Sequence, residues 1–68
     1  MTIEGKIYGI RAESLAAVTF RIGHLPCAAF MQTAEMIINR NGYPGHTIRA
    51  TGAVVGKSVV VENVEVLD

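Results

Sequence analysis

The chain has 68 residues and a mass of 7.3 kDa, which leaves room for one small domain spanning 1–68, since typical domains run to ~100–150 residues. Half of the residues are hydrophobic and the mean hydropathy is +0.35, a composition too apolar for intrinsic disorder. Six basic and six acidic residues cancel to a net charge of zero, which excludes a uniformly basic, histone-like protein.

The sequence shows no pattern typical of membrane insertion or secretion. Its longest uncharged run, 22–34, and the run 14–20 contain polar residues and fall short of the ~20 apolar residues that a membrane span requires. Glu4 and Lys6 interrupt the first ten residues, so a signal peptide is not expected. The lone Cys27 cannot form an intramolecular disulfide, which fits a reducing compartment. We therefore expect a cytoplasmic protein with no membrane partner.

The small size of the core limits stability. A domain of ~60 residues buries only about 60% of the surface that its unfolded chain exposes. Without a disulfide or a metal cluster, such a chain needs an efficient fold such as a closed barrel, or self-association. Zero net charge offers no repulsion against association. We expect a homo-oligomer, most simply a dimer.

The first segment, 2–11, has the alternation of a β-strand. Ile3 and Ile7 lie on one side, and charged or aromatic residues lie on the other. Gly5 and Gly9 interrupt this pattern, and a glycine inside a strand often marks a bulge or a sharp bend. The segment therefore predicts a strand that curls around a small barrel.

Two further short strands are predicted next, after a polar break at 12–14. Residues 15–22 alternate, with Ala16, Val18, Phe20 and Ile22 expected to point inward. A tight turn at Gly23 and His24 leads to a strand at 25–30. Pro26 indicates that this strand begins at a sheet edge or a bulge.

The period then changes to that of an amphipathic helix of about three turns, beginning near Phe30. Its apolar face is predicted to comprise Met31, Ala34, Ile37 and Ile38. The stop signal is Asn-Gly at 41–42 followed by Pro-Gly at 44–45.

The last third is strand-like, with strands at 47–55 and 58–67 joined by a hairpin turn at Gly56 and Lys57. The resulting order is β-β-β-α-β-β. This order predicts an all-β fold, a small five-stranded Greek-key barrel of the OB type with one helix between strands three and four. The alternative is a split α+β sheet with the helix packed on one face.

The chain resembles OB-fold nucleic-acid-binding domains over nearly its whole length. The resemblance lies in the opening strand 3–11, in the glycine-bounded stretch 45–52, in Gly56–Lys57, and in the acidic-hydrophobic alternation of 59–67. Single-stranded-DNA-binding, primosomal replication and anticodon-binding members are the most similar classes. The resemblance implies binding of single-stranded nucleic acid, DNA more than RNA, with low sequence specificity.

Basic residues are concentrated before residue 58. Residues 1–57 carry six basic and three acidic side chains, a balance of +3, whereas the last eleven residues balance to −3. In an OB barrel the outer face of strands one to three forms the usual binding surface. The candidate nucleic-acid-binding residues are Lys6, Tyr8, Thr19 and Arg21 on that face, Arg11 and His24 near its rim, and Arg49 and Lys57 as an extension.

Each candidate has a simpler interpretation. Lys and Arg on strands are usually ordinary solvated residues. Arg49 and Lys57 could pair with Glu62 or Glu65 across the last hairpin. Tyr43 is either a second stacking residue or, more commonly for a tyrosine after a helix, packed against the barrel mouth.

No enzymatic centre is expected. His24 and Cys27 lie three apart, so on a strand they would point to opposite faces, and Cys27 is predicted to fill the core. With His46 these residues also fail any zinc pattern. We therefore predict no catalytic residue, no metal and no cofactor.

A second function class remains open, namely a barrel that mediates protein assembly and has no nucleic-acid affinity. Short loops and only four aromatic residues favour it. In that case another protein subunit or a second copy would contact exposed apolar residues such as Phe30, Met36 or the valines of the last strand.

Overall fold

A computed structural model describes residues 1–14, 16–39 and 45–68. Five strands and one helix follow one another along the chain. They are β1 (Thr2–Ser14), β2 (Ala17–Ile22), β3 (Leu25–Phe30), α1 (Met31–Asn39), β4 (Thr47–Val55) and β5 (Ser58–Val66). The predicted element order is confirmed. Leu15, at the predicted start of the second strand, lies outside the described residues. So do Tyr43 and the predicted helix stop as far as Pro44.

The strands form a closed barrel in the order β1-β2-β3-β5-β4, with β4 returning to β1. All neighbouring strands are antiparallel except β3 and β5, which are parallel. The predicted five-stranded OB-like barrel is therefore confirmed, and the alternative split sheet is wrong. Closure pairs most strand edges, which removes sites of non-specific sheet association.

Strand β1 is longer than predicted because of a bulge at Gly9. Gly9 has a φ of 65°, and the register with β2 shifts between Tyr8 and Arg11. The bulge bends the strand and lets it continue beside β2 to Ser14. The polar segment 12–14, predicted as a break, is thus part of the strand, because polar residues are tolerated on its solvent side.

The core is made by the inward positions of all five strands. As predicted, Ile7, Val18, Phe20 and Ile22 are buried and Ile3 is partly buried. Ala16 is exposed in the turn before β2, so its predicted inward position is wrong. The remaining buried strand residues are Cys27, Ala29, Ile48, Ala50, Val59 and Val61.

Helix α1 packs against β2, β3 and β5 through a narrow apolar stripe. Ala34 and Ile37 are buried, but Met31 is 71% exposed and Ile38 is 38% exposed. The predicted apolar face is therefore correct at two of its four positions. A helix of nine residues that covers one end of a small barrel buries only about one side chain per turn.

Two glycine positions allow the last hairpin to form. Gly56 has a φ of 63° in the predicted two-residue turn with Lys57, between the paired residues Val55 and Ser58. At Gly52 the register of β4 against β5 shifts, and a Cβ there would lie 2.0 Å from the carbonyl oxygen of Val60. Only glycine permits that backbone approach.

Within the described ranges, none of the helical structure is long and apolar enough to cross a membrane.

Candidate nucleic-acid interface

An open groove of about 370 Å³ crosses the outer face of β1, β2 and β3 and reaches the start of β5. Three predicted site residues, Arg11, Thr19 and Arg21, line it on the β1–β2 side. The other lining residues are mainly small or apolar, namely Gly9, Phe20, Pro26, Cys27, Ala28 and Ser58. We call Arg11, Thr19 and Arg21 the cationic wall of the groove and the small or apolar residues its floor.

The bulge at Gly9 brings Arg11 to the groove. Arg11 lies directly opposite Thr19 on β2, so the two side chains share the outer face. Glu13 joins them, because the Thr19 hydroxyl donates to Glu13 Oε1 at 3.1 Å and Arg11 Nε lies 4.0 Å from the same oxygen. A carboxylate oxygen therefore lies within reach of both predicted binding residues.

Arg21 and Tyr8 form the second cross-strand pair on this face. Arg21 donates a hydrogen bond of 3.4 Å to the carbonyl of His24 in the β2–β3 turn. The Tyr8 hydroxyl donates to the carbonyl of Gly23 in the same turn, while 45% of the residue stays exposed. Both side chains are thus held toward the β2–β3 turn, in which His24 is exposed.

The two lysines lie outside the groove lining. Lys6 is exposed on β1, two residues before Tyr8 and opposite Thr47 on β4. Lys57 is exposed in the hairpin turn, next to Ser58 of the groove lining. In the part of the chain that the structure describes, neither lysine makes an ion pair.

Arg49 lies on a different surface. We call the outer face formed by Glu4, Thr47, Arg49 and Glu65 the back face. There Arg49 Nε lies 3.2 Å from Glu4 Oε2, and its Nη1 lies 3.7 Å from Glu65 Oε1. Arg49 thus pairs with Glu65 across the last hairpin, as its simpler interpretation predicts. It does not line the groove.

At the edge of the back face, Asp68 makes polar contacts with His46 and Thr47. The Thr47 N–H donates to Asp68 Oδ2 at 3.1 Å, and His46 Nδ1 lies 3.0 Å from Asp68 Oδ1. The Thr47 N–H, and then the His46 side chain, hold the pKa of the Asp68 carboxyl below its ordinary value. This contact ties the end of the chain to the start of β4.

Cys27 contributes to the floor of the groove but is buried, as predicted. Burial raises the pKa of its thiol, against a smaller lowering by a backbone hydrogen bond at Ile22. A buried thiol with a raised pKa is a poor nucleophile, and exposed His24 lies in the turn rather than beside it. Among the described residues, no group of three or more His, Cys, Asp and Glu is placed to hold a metal.

Contributors to this face that sequence reasoning missed include Glu13, Pro26, Ala28 and Ser58. Pro26 and Ser58 carry no charge and gave no chemical signal. Glu13 was predicted to lie in a break, where its position relative to Thr19 could not be inferred.

Comparisons of the chain with protein-family models, curated proteins and solved structures found no match. By its fold, the protein is a closed five-stranded barrel of OB-like layout. Its outer face carries a groove that is partly lined by cationic side chains.

Proposed function

We propose that this protein binds single-stranded nucleic acid in the groove on β1, β2 and β3, with little sequence preference. The observation that carries the proposal is the cationic wall, where Arg11 and Arg21 line one side of an open groove. Lys57 adjoins Ser58 of the lining and Lys6 lies on β1 two residues before Tyr8, and neither makes an ion pair among the described residues. Cations in such positions neutralise phosphates and release counterions.

The floor of the groove supports low specificity. Pro26, Ala28 and Ser58 offer apolar surface and one hydroxyl, which cannot read a base edge by paired hydrogen bonds. Tyr8 is the exposed aromatic beside the groove, and one ring stacks on any base for ~1–3 kcal/mol. The preference for DNA over RNA rests on the family resemblance alone.

Self-association is part of the proposal. Few cations line one groove, so a single copy would bind weakly, and joining copies raises avidity without new contacts. Exposed apolar residues suited to contact a second copy are Phe30, Met31, Met36, Val54 and Val55. We propose a homo-oligomer, most simply a dimer, that presents several grooves to one strand.

The test is fluorescence anisotropy with labelled oligo-dT and oligo-rU over a salt series, with the protein sized in parallel. Binding should weaken as salt rises, with a slope of ~0.7 per phosphate neutralised. The double variant Lys6→Glu/Arg21→Glu should abolish binding and leave the circular dichroism spectrum unchanged. Wild-type affinity in that variant would show that the proposed surface is wrong.

A matched pair of neutral variants locates the surface more finely. Arg21→Gln should weaken binding about fivefold at ~0.1 M salt, as expected for loss of one charge contact. Arg49→Gln removes the same charge from the back face, where Glu4 and Glu65 already compensate it. It should leave affinity within about twofold at ~0.1 M salt, because its charge is already paired and the Debye length there is only ~10 Å.

A second candidate function is a protein-assembly module without nucleic-acid affinity. The tip of the β4–β5 hairpin favours it, since consecutive Val54 and Val55 are 60% and 61% exposed. Consecutive strand residues point to opposite faces, so both faces of the tip are apolar and uncovered. This candidate requires that Val54→Thr/Val55→Thr reduce the mass found by sedimentation, while no oligonucleotide binds even at low salt.

A further inference from the structure

At one position in the groove, the carboxylate of Glu13 contacts two side chains that could instead bind an oxygen of a ligand. Glu13 Oε1 accepts the Thr19 hydroxyl hydrogen at 3.1 Å and lies 4.0 Å from Arg11 Nε. Arg11 and Thr19 face each other across β1 and β2 and both line the groove. One hydroxyl donor and one guanidinium thus converge on a single anionic oxygen.

A phosphate oxygen has the same requirements as this carboxylate oxygen. Both are acceptors with negative charge, and both form charge-assisted hydrogen bonds with Arg and Ser or Thr. Thr19 and Arg11 meet here because of the bulge at Gly9, which shifts the register of β1 between Tyr8 and Arg11. The donors are therefore set by the backbone of two paired strands rather than by Glu13.

The contact of Glu13 with Arg11 is long and solvated. The Arg11 side chain is 81% exposed and that of Glu13 is 50% exposed, and exposed pairs of this kind contribute at most ~1 kcal/mol. An incoming phosphate could displace the carboxylate without unfolding the strand. Until it is displaced, Glu13 repels a polyanion and keeps both donors engaged.

We propose that Arg11 and Thr19 form a phosphate-binding position of the groove and that Glu13 competes with the phosphate for it. This inference rests on the proposed nucleic-acid function and makes Glu13 a built-in attenuator of affinity. Arg11 and Thr19 contact the Glu13 carboxylate in the free protein and a phosphate in the complex, so they have an anionic partner in both states. The wild-type protein therefore gains little from Arg11 unless Glu13 swings away.

The experiment measures affinity for labelled oligo-dT in Glu13→Gln, in the isolated wild-type protein and in Glu35→Gln. Glutamine keeps the length of Glu13 and an oxygen that accepts from Thr19, but removes its charge. Glu13→Gln should bind about fivefold more tightly at ~0.1 M salt, with a salt slope steeper by ~0.7. Glu35 is exposed on α1 and outside the groove lining, so Glu35→Gln should change affinity by less than about twofold.

A second variant separates local competition from a general effect of charge. In Arg11→Ala/Thr19→Val the additional change Glu13→Gln should give no more than the gain of Glu35→Gln, because both groups for which Glu13 competes are gone. Equal gains in Glu13→Gln and Glu35→Gln, with wild-type binding present, would overturn this inference and leave the proposed function standing. Absence of binding by all variants at low salt would overturn both.

Discussion

The two outer faces of the barrel use the same residue types to opposite effect. On the back face, Arg49 lies between Glu4 and Glu65, and Asp68 meets His46 and the Thr47 N–H. On the groove face, among the residues that the structure describes, Arg21 donates only to a backbone carbonyl, and Arg11 lies 4.0 Å from one carboxylate oxygen. An arginine that already has two carboxylates has little left to offer a phosphate. Both faces contain arginines. The candidate binding surface differs from the back face in that its arginines are less fully paired with carboxylates.

The faces also differ in how their backbones bend. Each contains one glycine at a register shift, Gly9 in β1 on the groove side and Gly52 in β4 next to β5. A Cβ at Gly9 would meet nothing within 4 Å, whereas one at Gly52 would overlap the backbone of Val60. Gly9 is thus required for its φ alone, and Gly52 for the space it leaves.

The largest effect is expected from Gly52→Ala. Its Cβ would lie 2.0 Å from the Val60 carbonyl oxygen, so β4 and β5 would have to separate locally. We expect a loss of about 3 kcal/mol or more in the free energy of unfolding, at the upper end of overpacking costs. Chemical denaturation followed by circular dichroism measures it.

Gly9→Ala is the matched control in the other face. It imposes a φ of 65° on alanine in open space, which costs ~1–2 kcal/mol. A cost for Gly52→Ala no greater than that for Gly9→Ala would mean that the close approach at Val60 is relieved easily. The contrast drawn between the two bends would then be wrong.

The fold was predictable because each element carries its own period and punctuation. The alternation around Ile7 and Phe20, the turns at Gly23 and Gly56 and the change of period at Met31 all appear in the sequence. The exposure of Met31 was not predictable, because helical periodicity does not show how much of a stripe the barrel end covers. The length of β1 was missed because the effect of Gly9 depends on its partner strand.

A smaller effect is expected from Arg49→Gln on stability. The change leaves Glu4 and Glu65 on neighbouring strands with no cation between them. We expect a loss of about 0.5–1 kcal/mol, as for exposed ion pairs that share one cation, and a smaller loss at high salt. Thermal unfolding at low and high salt measures the difference.

Arg21→Gln provides the comparison, since in the described residues its guanidinium donates only to the His24 carbonyl. Its stability should change less than that of Arg49→Gln and show little dependence on salt. If both variants lost the same amount, the back face would gain nothing from its paired charges. The distinction between the two arginines would then have no energetic basis.

The site was less predictable than the fold, for a reason visible at Arg11. Strict alternation from Ile3 and Ile7 would turn residue 11 inward, but the bulge returns it to the outer face opposite Thr19. Ile10 is partly buried and packs against the core instead. The position of Arg11 at the groove and its contact with Glu13 both depend on this register shift. The sequence of β1 alone does not reveal the shift, because it arises from pairing between strands.

The smallest effect is expected at the edge of the back face, where the pKa of Asp68 is lowered by the Thr47 N–H and then by His46. A carboxyl with a lower pKa in the folded state stabilises the fold above its ordinary pKa of 3.8 and loses this contribution as pH falls through the folded value. Wild-type Tm should therefore fall more steeply than that of Asp68→Asn between pH ~5 and ~2. Glu35→Gln, which removes a carboxylate with no hydrogen bond among the described residues, should follow the wild type. Parallel curves for wild type and Asp68→Asn would show that the contact adds nothing to the fold. Among the described side chains, the polar stabilisation of the back face would then come from the ion pairs of Arg49.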